Sequence, residues 1–406
     1  MTGVLSRSLQ QNTVILRAPG AAARRNPNDG PGATVFETLT PAADITVDVE
    51  ENLDRQTLHT ILNDPTVVSF APAMPMKLVE PLEATPGFSD DAAVTWGVEA
   101  VGATDSPFTG HGVTVAVLDT GIDAGHPAFA GIELVQKDFT GSGSAHDTQG
   151  HGTHCAGTIF GRDVDGLRIG VATGVQRALI GKVLGPGGGG SDTLCEAITW
   201  AADQGANVVS MSLGIDFPGW VEELVVRNGL SIPVATSIAL EQYRANIRLF
   251  EQLSNLLGAR ASFAQTVVVV AASGNESGRN QNPPYEINVA PPAASTGVLA
   301  VAALGRGPDG VQVAPFSNTR ATVAGPGVDV VSAKVGGGTR PLSGTSMATP
   351  HVAGVAALWA EKLTAAGQLS PVFLQSKLVG SATMTGLAPG TDSLDVGTGL
   401  VQAPKN

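Results

Sequence analysis

Cysteine is almost missing from this chain, with Cys155 and Cys195 the only two among 406 residues. Two thiols cannot build the disulfide framework of a small secreted fold, so both are read by default as free and buried. Aromatic residues make up only 4% of the chain. That scarcity, beside 51 glycines and many alanines, indicates a core of small side chains and closely approaching backbones. Basic residues are outnumbered, 23 Lys and Arg against 36 Asp and Glu, for a net charge of −13. No cluster of Lys and Arg is present to meet phosphates, which excludes a nucleic-acid or anionic-membrane partner. No stretch reaches the ~20 consecutive apolar residues of a membrane-spanning helix. Residues 1–11 also lack the basic start and apolar core of a secretory signal. The expected location is therefore cytoplasmic, with a secreted protein whose signal has been removed as the alternative.

What is present centres on Ser343-Gly344-Thr345-Ser346-Met347-Ala348-Thr349-Pro350-His351-Val352-Ala353-Gly354. The segment reads as a turn launching a buried helix, with Pro350 in its first turn and small residues on most sides. A serine at such an N-terminus sits among unpaired N–H groups, which suits an oxyanion forming beside it. A serine hydroxyl needs a base, and the base needs an orienting carboxylate. Val113 to Asp119 reads as a buried parallel strand that delivers Asp119 at its carboxyl end. Gly150-His151-Gly152-Thr153-His154-Cys155-Ala156-Gly157-Thr158 puts His151 at the start of a small-residue helix. Each residue also has an ordinary role available: Asp119 as a strand-end cap, Asn275 in a tight turn, Ser346 as a helix cap. His151 and His154 lie three apart, but no further ligand follows at metal spacing, so no metal is expected and His154 reads as a core histidine.

Five segments, VAVLDTGID, HGTHCAGT, SMSLG, VVVVAASGNE and GTSMATPHVAG, occur in an order and rough spacing that resemble the subtilisin-like serine proteases, the S8 or subtilase family. The resemblance covers roughly residues 89–406. It implies an α/β fold with a doubly wound, mostly parallel sheet and helices on both faces. It implies Asp119 as orienting carboxylate, His151 as general base and acid, and Ser346 as nucleophile. The oxyanion donors would be Asn275 and the Ser346 N–H. The peptide cleft would be lined by Gly185, Gly187, Gly188, Ser212, Leu213, Gly214, Ala272, Ser273 and Gly274. A cysteine after the histidine motif, as at Cys155, marks branches of the family inhibited by mercurials.

Ahead of that region, residues 1–88 are expected to form a small α+β module and linker. Strands are read near Asn12–Ala18 and Ala43–Val49, a mobile loop over 19–33, a helix over Asn52–Leu62 and a strand over Thr66–Pro72. This order is similar to the family's propeptide, an intramolecular inhibitor whose tail enters the substrate cleft. The proline-rich Ala73–Phe88 reads as an extended linker containing that tail, with self-cleavage between about Lys77 and Asp91.

Further strands are expected at Leu179–Leu184, Asn207–Gly214 and Val267–Ala272, with a helix over Asp192–Asp203. Residues 216–264 are longer than the family's usual single helix here, with strong helical character from Ile238 to Leu253. Ala128 stands where many relatives place a calcium-ligating aspartate. The family's usual calcium site is therefore expected to be absent; Asp163 and Asp165 leave room for a different structural calcium, and the chemistry requires no cofactor. The implied activity is hydrolysis of polypeptides by an autoinhibited, self-processing precursor. A peptide ligase or macrocyclase using the same acyl-enzyme, and a binding protein blocked by its own module, are the alternatives.

Overall fold

The computed structural model describes residues 11–19, 23–24, 35–36, 44–85, 88, 92–260 and 266–405. Most of the loop expected over 19–33, part of the expected self-cleavage window, and residues 261–264 of the insertion lie outside these. A central sheet of eight strands organises the larger part. Across it run Gly310–Val313, Val298–Gly307, Val268–Ala272, Val208–Met211, Thr114–Asp119, Arg177–Lys182 and Glu133–Asp138, with Val323–Pro326 also paired to Val298–Gly307. All pairings are parallel except that of Gly310–Val313. The middle strands are valine- and alanine-rich and buried on both faces, as a sheet covered by helices requires. Their shared direction brings Asp119, Ser212 and the approach to Asn275 to one edge, the carboxyl edge, where open α/β sheets place ligands.

Two helices meet there. His151–Phe160 is buried along its whole length. Thr345–Ala365 is buried from Thr345 through Leu358, and its small residues permit close approach. At Gly354 an added Cβ would come within 2.6 Å of Val171 Cβ. Pro350 does not sit in the first turn but inside the helix. A proline there removes the N–H that would bond the carbonyl four residues back, that of Ser346. The freed carbonyl accepts instead from Ser212 Oγ at 3.2 Å, with Cys155 Sγ at 3.4 Å. The expected strand Asn207–Gly214 is also two strands: Val208–Met211 stays in the main sheet, and Leu213–Ile215 leaves it to pair elsewhere.

The N-terminal part forms its own antiparallel sheet, with Asn12–Arg17 between Thr46–Glu51 and Val67–Pro72, and the helix Arg55–Asn63. Alternation along the middle strand explains why both faces are covered. Ile15 packs with Ile61 and Val67 beneath the module's own helix. Val14 and Leu16 point the other way, into a cluster shared with Leu194, Ala197, Leu249, Phe250 and Leu253. These come from the helices Ser191–Asp203 and Ile232–Arg260. The insertion is therefore a short helix, Phe217–Val226, and one of 29 residues, Ile232–Arg260, and the long one serves as a docking platform. Asn246, fully buried on it, donates from Nδ2 to Pro72 O at 2.8 Å.

Candidate active site

His151 opens its helix after Gly150, whose φ of +95° only glycine adopts without strain. Its Nδ1 donates to Asp119 Oδ1 at 2.8 Å, and both side chains are almost wholly buried. Thr120 N donates to the same oxygen at 2.7 Å. Burial works against a charged imidazole, but the Asp119 carboxylate outweighs it and raises the His151 pKa well above 6.5.

The turn that carries His151 is organised by Asp147, a residue the sequence reading passed over. Fully buried, its carboxylate accepts from Thr120 Oγ1, Gln149 N, Gly150 N, Thr153 N and Thr153 Oγ1 at 2.7 to 3.0 Å. A buried carboxylate persists only when so satisfied. The sequence signal was a lone Asp four residues before a histidine, too ordinary to single out.

Asn275 Oδ1 accepts from Thr345 N and Thr345 Oγ1, both at 2.9 Å. The backbone donor fixes which end of the amide is which, leaving Nδ2 to point into the cleft. Thr345 was likewise not foreseen.

The cleft is occupied by the chain's own residues 75–83. Pro75–Leu78 lies antiparallel between Gly189–Gly190 and Leu213–Ile215, with Lys77 opposite Gly214 and Leu78 opposite Leu213. Val79 N continues the ladder to Ser212 O at 3.3 Å. Beyond Ser346 the tail pairs again, Leu82 with Ser343 and Glu83 with Leu342. Thr85 N and Oγ1 then both donate to the Asp329 carboxylate at 2.7 Å. The supposed linker is thus two short strands, one added on each side of Ser346. Between them Ser346 Oγ donates to Val79 O at 2.9 Å, while Asn275 Nδ2 donates to the next carbonyl, Glu80 O, at 2.8 Å. His151 Nε2 has no hydrogen-bond partner among the described residues.

The other expected lining residues divide. Gly185, Gly187 and Gly188 line the groove beside Met76 and Lys77, and a Cβ on Gly188 would come within 2.6 Å of Met76 O. Ser212, Leu213 and Gly214 form the other wall. Ala272 ends its strand buried, and the hydrogen bonds of Ser273 and Gly274 run to Val301, Asn318 and Thr345 rather than to the tail. These three support Asn275 from behind.

Cys155 and Cys195 are free and buried. Cys155 Sγ lies 3.8 Å from His151 Nδ1, so Asp119, His151 and Cys155 present atoms within 4.8 Å of one another, close enough to hold an ion. His154 is a core histidine: its Nε2 donates to Val330 O at 3.0 Å and burial pushes its pKa down to about 3.

A family model described as "Subtilase family" matches residues 110–399. The chain belongs to the subtilase family. M-protease of Shouchella clausii is 33% identical over 369 residues, covering 87% of this chain and 82% of that protein. Subtilisin Savinase of Lederbergia lenta is 33% identical over 315 residues, 77% of this chain and 97% of that one. Proteinase R of Parengyodontium album is 31% identical over 318 residues, 71% and 69%. This subtilase is a serine protease acting on polypeptides. Among the described residues no helix is long and apolar enough to cross a membrane. Nothing in these relationships supports a cytoplasmic location or the ligase alternative.

Proposed function

We propose that this subtilase is made as an autoinhibited endopeptidase precursor, and that residues 1–88 are its inhibitor. The observation that carries the reading is the tail threaded past Ser346 in the manner of a substrate, with the Val79 carbonyl on the Ser346 hydroxyl. In this reading Ser346 Oγ attacks the carbonyl while His151 Nε2 takes its proton and Asp119 holds the imidazole tautomer. Asn275 Nδ2 and the Ser346 N–H stabilise the tetrahedral oxyanion, His151 returns the proton to the leaving amine, and water releases the acyl group. None of these steps requires a cofactor.

The seated tail is not poised to react. Ser346 gives its hydrogen bond to Val79 O instead of His151, and the Asn275 amide serves a different carbonyl from the one Ser346 addresses. Cleavage between Val79 and Glu80 needs the serine to turn to His151 and the Val79 carbonyl to swing toward Asn275. Slow self-processing, with the tail inhibiting meanwhile, is the consequence.

Intact-mass analysis of the purified chain and of Ser346→Ala, before and after a fluorophosphonate probe, tests this. Expected is a cut at Val79–Glu80 with probe on the larger fragment, while the variant stays whole and unlabelled. A wild-type chain that stays whole and never takes the probe, or a variant that is cut equally fast, would overturn it.

A further inference from the structure

The tail also reports what the groove prefers. Lys77, the third residue in the run Lys77-Leu78-Val79 that ends at the Ser346-bound carbonyl, sits opposite Gly214. Its ammonium lies 2.9 Å from Asp216 Oδ1. Asp216 is held from two directions. Its backbone N donates to Pro75 O at 3.1 Å. Its Oδ1 accepts from Gly219 N at 3.2 Å and so caps the helix Phe217–Val226. A carboxylate fixed by its own helix waits in place and needs little ordering when a cation arrives. Glu223, about two helical turns further on, lines the same groove and is itself paired to Arg227 at 3.0 Å. The groove's own lysine, Lys182, is buried and directs its Nζ to His146 O at 3.1 Å, away from this wall.

We propose that Asp216 is a specificity-determining residue that selects a basic side chain, Lys or Arg, two positions before the residue whose carbonyl Ser346 attacks. The inference rests on the proposed reading of the tail as a substrate-like strand. Because the strand's backbone pairs with Gly214 and Ser212 whatever its sequence, side-chain choice at this position falls to the carboxylate that the side chain meets, that of Asp216. Both partners are partly exposed, at 43% and 29%, so the preference is modest and sensitive to salt.

The test uses the full chain and Asp216→Asn, which keeps an N-cap acceptor while removing the charge. Both enzymes are given an equimolar pair of quenched peptides copying residues 75–83, one with Lys at the position of Lys77 and one with Gln there, and cleavage is followed by mass. The ratio of the two rates reads selectivity whatever the variant does to overall rate. Expected is a preference for the lysine peptide of about threefold at low salt, collapsing toward unity in 1 M salt and in Asp216→Asn. Equal rates in the wild type, or an undiminished preference in the variant, would overturn this inference and leave the protease reading intact. Enzyme of which a sample takes the fluorophosphonate probe, but whose unlabelled remainder cuts neither peptide, would overturn it too, since the groove then does not take this strand. Failure of both cleavage and labelling would bring down the protease reading with it.

Discussion

In the proposed mechanism Asp119 sets the working range of the base it touches. His151 accepts a proton from Ser346 only when its imidazole is neutral, yet the carboxylate 2.8 Å away favours the charged form and outweighs the effect of burial. The sign follows directly: a raised folded-state pKa contributes stability that is complete below pH 6.5 and is lost as pH rises through the folded value. Catalysis runs the opposite way, gaining as the imidazole loses its proton. The pH profile of kcat/KM is therefore expected to have its acid limb above pH 6.5. In Asp119→Asn that limb should move down, while the rate falls by about 10⁴-fold as the imidazole loses its preferred tautomer. A wild-type limb at or below pH 6.5 would mean that the pair does not govern the base.

The element that carries His151 depends on a carboxylate with no part in the chemistry. Asp147 gathers three backbone N–H groups and two hydroxyls, and so ties the end of the Asp119 strand, through Thr120, to the turn and first residues of the histidine helix. Asp147→Ala leaves those donors buried and unpaired, at an expected cost of about 3 kcal/mol or more. In the Ser346→Ala background, where self-digestion cannot confuse the readout, the thermal midpoint should fall clearly. An unchanged midpoint would show that water satisfies the turn without it. Asp147 also marks a limit of legibility. The strand ending in Asp119 and the helices opened by His151 and Ser346 could be read because valine runs, glycine turns and small-residue faces are local patterns. The accounting of buried donors is not local: Asp147 serves residues on both sides of a turn, and Ser212 meets the carbonyl that Pro350 leaves free. The 29-residue helix Ile232–Arg260 was under-read for a related reason. Its N-terminal half carries Val234 and Thr236, poor helix formers that packing against Phe217–Val226 overrides, and Pro233, which is tolerated only because it falls in the first turn.

Across the whole molecule, two apolar surfaces that would each be costly alone are joined. The module's sheet presents Val14, Leu16, Val68 and Ala71 to the helices Ser191–Asp203 and Ile232–Arg260, and this docking brings the tail into register with the cleft. The module's three longer strands and its helix follow the expected sequence order, with the two-residue strands Ala23–Arg24 and Val35–Phe36 between the first two, and Asn12–Arg17 and Val67–Pro72 each turn apolar residues to two covers, the module's own helix and the platform. The platform itself could not be foreseen, since nothing in the amphipathic pattern of residues 232–260 names the surface that will meet it. If docking and occupancy of the cleft are one equilibrium, weakening the first must empty the second. Leu16→Asp places a carboxylate in the shared cluster, at a position only 1% exposed, and alters no residue of the cleft. A buried unpaired charge should cost the docked state more than 1.4 kcal/mol, hence at least about tenfold in its population relative to the open one. Fluorophosphonate labelling of Ser346 in the full chain should accelerate by the same factor, with peptide hydrolysis rising alongside. Unchanged labelling in a variant whose module is loosened, as read by proteolysis of residues 44–72, would show that the tail holds the cleft by its own strand pairings and that the module is dispensable for inhibition.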